Sequence, residues 1–112
     1  MGDVIEEVRN VLTRAKDMLD ADMITYQAKD NEITLDIYWL SEGRGKNVVK
    51  ELKSLKFFGS PLGELGPLLA NLVSSEIEGA TWVEVDVEGL NCGKEGCRAH
   101  VRINFGKYLP LF

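Results

Sequence analysis

The sequence predicts an α+β fold: one antiparallel sheet of two hairpins packed on helices, in the order α-β-β-α-α-β-β. Three observations predict it. Apolar residues recur at helical spacing in three segments, and they alternate with polar ones in four others. Short turns rich in Asp, Asn and Gly join the alternating segments in pairs.

The first helix is expected over about 4–20. Asp3 followed three residues later by Glu6 resembles a capping box. Ile5, Val8, Val11, Leu12, Ala15, Met18 and Leu19 then form one stripe, with Glu6, Glu7, Arg9, Arg14 and Lys16 on the other face. Asp20-Ala21-Asp22 ends it. From Met23 the period becomes two: Ile24, Tyr26 and Ala28, then Ile33, Leu35, Ile37 and Trp39, with Asp30-Asn31 as a two-residue turn between the strands.

Ser41–Gly45 reads as loop. Val48, Val49, Leu52 and Leu55 return to helical spacing, interleaved with Lys46, Lys50, Lys53 and Lys56, which predicts a short basic helix. The long helix starts at Ser60-Pro61 or at Pro67, buries Leu65, Leu68, Leu69, Leu72, Val73 and Ile77, and stops at Gly79. Gly63, Gly66 and Ala70 notch its surface for a close approach. Strands at about 81–89 and 97–105 close the chain. Val83, Val85 and Val87 face inward with Ala99, Val101, Ile103 and Phe105. The outer faces set Glu84, Asp86 and Glu88 against Arg98, His100 and Arg102.

A chain of 112 residues, 45% hydrophobic and 28% charged, suits a single globular domain spanning residues 1–112. Eighteen acidic residues against thirteen basic ones leave a net charge of −5, which repels phosphate backbones and argues against nucleic acid. No apolar run approaches the roughly 20 residues of a membrane span, and the N-terminus lacks signal-peptide regions, so a cytoplasmic location is expected. Five of the basic residues fall within Arg44–Lys56, the one concentration of positive charge. Gly43-Arg44-Gly45-Lys46 has the look of a phosphate loop but lacks the full G-x4-G-K-[ST] pattern.

Two places invite chemistry. At the tip of the last hairpin, Glu88, Cys92, Cys97 and His100 are residue types that bind zinc. A ladder joining the two valine-bearing faces pairs residues of like parity: Val87 with Val101, Asp86 with Arg102, Glu88 with His100. Cys92 and Cys97 differ in parity, so they meet only across a bulge at Gly89, Gly93 or Gly96. Reduced thiols, a tip disulfide and a metal site all remain open. The second place is apolar: Tyr26, Trp39, Phe57, Phe58, Leu65 and Leu69 point between sheet and helices, as core or as the wall of a ligand pocket with the Tyr26 hydroxyl as polar handle. No recognisable nucleophile accompanies His100, so an enzyme is not the expectation.

Gly66-Pro67-Leu68-Leu69-Ala70-Asn71-Leu72-Val73, the strand from Trp82 to Glu88, Cys92, and Gly96-Cys97-Arg98-Ala99-His100-Val101 together resemble the 4-vinyl reductase domain. The likeness covers about residues 4–105 and is strongest over 62–103. It implies a fold similar to small-molecule sensor domains and to acyl-carrying subunits of the vesicle-tethering complex. It further implies a bound hydrocarbon or small aromatic molecule, a homodimer or a regulatory partner protein, and a structural zinc on Glu88, Cys92 and Cys97. The sequence departs from the family in three ways. The Glu-to-Cys spacing is one residue longer, the loop between the cysteines is shorter, and Phe57-Phe58-Gly59-Ser60-Pro61 lacks the cysteine that precedes the long helix. Zinc would then need His100 or water as its fourth ligand. The expected function is therefore a non-enzymatic small-molecule binding or sensor domain. The alternatives are an interaction module without ligand and a small zinc or thiol protein built on Cys92 and Cys97.

Overall fold

Residues 4–54 and 65–106 are described by a computed structural model. Along the chain run α1 (Val4–Met18), β1 (Met23–Lys29), β2 (Glu32–Leu40), α2 (Lys46–Lys53), α3 (Leu65–Glu76), β3 (Trp82–Cys92) and β4 (Gly96–Gly106). The element order and the α+β class are those the periodicities predict.

Helix α1 buries Val8, Val11, Leu12 and Ala15 along one stripe, with Leu19 continuing that stripe just beyond its end. Glu6 and Glu7 in its first turn and Lys16 in its last complement the helix dipole. It ends two residues earlier than expected, because Asp20 takes a positive φ of 53° and Ala21 N–H folds back to the Lys16 carbonyl at 3.0 Å. In α2, Val48, Val49 and Leu52 are buried while Lys46, Lys50 and Lys53 stay in solvent, as the basic-helix pattern requires. Helix α3 is described from Leu65 to Glu76, with Pro67 near the start of that range. The alternative start at Ser60-Pro61 lies outside the described residues.

The four strands form one antiparallel sheet in the order β1-β2-β4-β3. Lys29 pairs with Glu32 around Asp30-Asn31, with Asp30 at φ 54°, so the first hairpin has its two-residue turn. The two hairpins join through β2 and β4, where Ile33, Leu35, Ile37 and Trp39 face Ile103, Val101, Ala99 and Cys97. All eight are buried, which places the three helices on one face and leaves the other face polar. On the edge strand β3 the inward valines are less covered than expected: Val83 and Val85 are half-buried and Val87 is 39% exposed.

Candidate functional site

The register of the second hairpin decides the chemistry of its tip. Val87 faces Val101 and Asp86 faces Arg102, as expected, but the ladder then slips: Gly89 faces His100, and Glu88 is the extra residue of a bulge. That slip reverses the parity of everything beyond it, so Cys92 faces Cys97. Their sulfurs are bonded to each other, with the Cα atoms 4.1 Å apart.

The proposed zinc set does not fit this arrangement. The bonded sulfurs are not thiolate ligands. Cys97 lies on the buried face beside Trp39, whereas Glu88 and His100 meet on the solvent face, so the four side chains do not converge. Among the described residues no group of three or more His, Cys, Asp or Glu side chains is placed to hold a metal ion. Of the readings open for the two cysteines, the tip disulfide is the one the geometry contains.

The tip is tied down in other ways. Ser41 N–H and Oγ donate to the carbonyls of Glu95 (2.8 Å) and Lys94 (2.9 Å). Gly96 has φ 149°, and a Cβ there would stand 1.9 Å from the Trp39 carbonyl oxygen, so only glycine fits. A disulfide closing so short a loop is worth on the order of 2 kcal/mol on chain-entropy grounds. Reduction should lower the denaturation midpoint accordingly, and thiol titration of unreduced protein should find no free sulfhydryl. Two titrating thiols before reduction would overturn the assignment.

The Gly43–Lys46 loop does bind an anion with its backbone, but the anion is internal. Asp22 Oδ1 accepts from Arg44 N–H at 2.8 Å, and Oδ2 accepts from Leu40 N–H at 2.7 Å and Gly45 N–H at 3.0 Å. Burial alone would raise the Asp22 pKa; the N–H groups of Leu40, Gly45 and Arg44, with the Arg44 charge, outweigh it and hold the carboxyl below its ordinary value. The Arg44 guanidinium reaches back to the Asp17 carboxylate and to the Asp17 carbonyl, both at 3.1 Å. This clasp ties the end of α1 to the start of α2. The cue in the sequence was Asp22 two residues after Asp20, which reads as a helix stop and nothing more.

On the solvent face, charged residues pair across strands. His100 Nδ1 lies 2.9 Å from Asp36 Oδ1, and its Nε2 lies 3.5 Å from Glu88 Oε1. Arg102 contacts Glu88 at 3.1 Å, and Arg98 lies 3.8 Å from Asp36. The expected Glu88–His100 partnership is thus kept, though Glu88 reaches His100 from the bulge and not from the opposed position. These pairs are partly exposed and contribute little stability each.

The chain matches no family model, no curated protein and no solved structure.

The expected ligand wall divides. Trp39, Leu65 and Leu69 are buried core, and the Trp39 indole N–H donates to the Leu19 carbonyl at 2.9 Å. Tyr26 lies apart on β1, 38% exposed. Phe57 and Phe58 lie outside the described residues. The four described members therefore line no common cavity.

Concave apolar surface appears instead between α1 and α3. A groove of about 570 Å³ has Met18, Pro67, Leu68 and Leu72 as apolar wall and Arg14, Asn71 and Ser75 as polar groups. Met18 is 58% exposed within it, and an Arg14–Glu76 ion pair joins the two helices. Sequence reasoning missed this groove because Met18 and Leu68 carry helical spacing and read as core. Their partial exposure follows from how the two helices pack. Of the small residues on α3, Gly66 has open space where its Cβ would be, so nothing described approaches it closely.

Proposed function

We propose that the chain is a non-enzymatic binding domain for a small hydrophobic molecule, held in the groove between α1 and α3. One observation carries this reading. The groove joins an apolar wall of Met18, Pro67, Leu68 and Leu72 to the convergent polar groups of Asn71, Ser75 and Arg14, at a volume suited to a small ligand. A molecule with an apolar body and one polar end matches that division. The resemblance of residues 62–103 to 4-vinyl reductase domains leads to the same class of ligand, although the position differs from the one the sequence led us to expect. A role as a sensor follows if occupancy alters the α1–α3 packing.

The test uses 8-anilinonaphthalene-1-sulfonate, an aromatic anion, as probe. Saturable binding at one site is expected, weakened at least about tenfold by Leu68→Asp, which corresponds to about 1.4 kcal/mol. Far-ultraviolet circular dichroism should be unchanged in that variant. Non-saturable binding, or equal binding by the variant, would sink the proposal.

A further inference from the structure

Among the described residues the sheet ends in two edge strands, β1 and β3, and they are built differently. Unguarded strand edges template pairing with other chains, so proteins protect them with charges, proline, bulges or short length. Strand β3 carries Glu84, Asp86 and Glu88 and is broken by the bulge at Glu88. Strand β1 carries less of this: seven residues, no proline, an unbroken register with β2, and one charge, Lys29, at its end. Met23 is 48% and Tyr26 38% exposed along it. We propose that β1 is the homodimer interface, pairing antiparallel with β1 of a second copy about a two-fold axis at Tyr26 and extending the sheet across both chains.

The outward hydrogen-bonding groups fix the register that a second copy would take. A two-residue turn is closed by a hydrogen-bonded pair, here Lys29 and Glu32. Alternation then directs the backbone groups of Lys29, Gln27, Thr25 and Met23 toward β2, and those of Ala28, Tyr26 and Ile24 outward. An antiparallel copy centred on Tyr26 sets Tyr26 against Tyr26 and Ile24 against Ala28 in both directions. Every outward N–H and C=O of the three residues is then used, and each pair exchanges two hydrogen bonds.

Side chains agree with the same register. Tyr26 is paired with Leu35 and Ile24 with Ile37, so their side chains share the helix-covered face and continue its apolar strip across the axis. Thr25 meets Gln27 on the solvent face. Lys29 falls opposite Met23, so no like charges oppose each other within the strand. The contact is isologous, which closes the assembly at two copies.

Sedimentation equilibrium tests this from about 1 μM to about 1 mM chain. The full chain is expected to approach twice the monomer mass with rising concentration. Tyr26→Pro removes an N–H that points away from β2, and should hold the protein monomeric with its circular dichroism retained. If that variant fails to fold, Tyr26→Lys sets two like charges at the axis, and should weaken dimerisation at least about tenfold. Leu68→Asp, in the α1–α3 groove, should leave the dimer intact. A monomer throughout the range, a dimer indifferent to Tyr26→Lys, or a dimer lost on Leu68→Asp would each overturn the proposal, the last by moving the interface to the helices.

Discussion

Replacing Trp39 with alanine should lower stability by about 4 kcal/mol, the usual cost of deleting a large buried aromatic. Three features make the site unforgiving. The indole N–H satisfies the Leu19 carbonyl at 2.9 Å, and the side chain is only 1% exposed. Gly45 also presses against it, since a Cβ there would stand 2.8 Å from both Trp39 Cβ and Cδ1. Truncation leaves both a cavity and an unpaired carbonyl. A chain of this size has a total stability of about 5–15 kcal/mol, so the melting temperature should fall on the order of 15 °C. Trp39→Phe separates the two contributions. It keeps most of the packing and loses the hydrogen bond, and should cost about 1–3 kcal/mol. Thermal denaturation of the three proteins reads this directly; a Trp39→Ala protein as stable as wild type would mean the indole is not core.

The second large effect is expected at Asp22. Asp22→Ala strips the acceptor from three backbone N–H groups at once and should cost about 3 kcal/mol, hydrogen bonds to charged groups being the stronger kind. The sign of its pH dependence follows from the lowered pKa. A carboxyl that titrates lower when folded stabilises the fold in its ionised form. That contribution is complete above the ordinary value of 3.8 and disappears as pH falls through the folded value below it. Denaturant midpoints for wild type and Asp22→Asn, measured from neutral pH to about pH 2, should therefore converge in acid. A constant gap between the two curves would show that Asp22 does not titrate as argued.

Much of the fold was legible because it rests on short-range periodicity. The alternation of Ile33, Leu35, Ile37 and Trp39 permits only one face to be buried, and a one-residue slip would turn all four toward water. The stripe on α1 and the lysines of α2 are readable for the same reason: solvent and core select opposite chemistry at a known spacing. The candidate sites were less legible. Glu88, Cys92, Cys97 and His100 are close in sequence, but closeness along a strand does not settle whether side chains converge in space. The pleat sends His100 and Cys97 to opposite faces, so neighbours three residues apart on a strand face different environments.

Local sequence stops short at the tip of the second hairpin. Residue parity requires a bulge before Cys92 and Cys97 can meet, and Gly89, Gly93 and Gly96 could each permit one. The slip falls between Val87 and Gly89, with Glu88 as the extra residue. Choosing among the three glycines depends on which positions β4 holds in register against β2, a contact between residues far apart in the chain. Gly96 illustrates the same point. Its neighbour is the Trp39 carbonyl, and nothing near Gly96 in sequence announces that a backbone will pass so close.

Periodicity, turn chemistry and charge alternation therefore specified the helices, the two hairpins and the inward face of each strand, since each depends on neighbours within a few residues. The joining of the hairpins through β2 and β4, the disulfide across the bulge, the Asp22 clasp and the α1–α3 groove all came from packing. Each of these is a meeting of distant segments, settled by how whole elements fill space together and satisfy one another's backbone groups. The α+β class could be inferred from the order of elements. The position of an apolar site could not, because Trp39 and Met18 both carry the pattern of core residues and only the packing of α1 on α3 leaves one of them facing solvent.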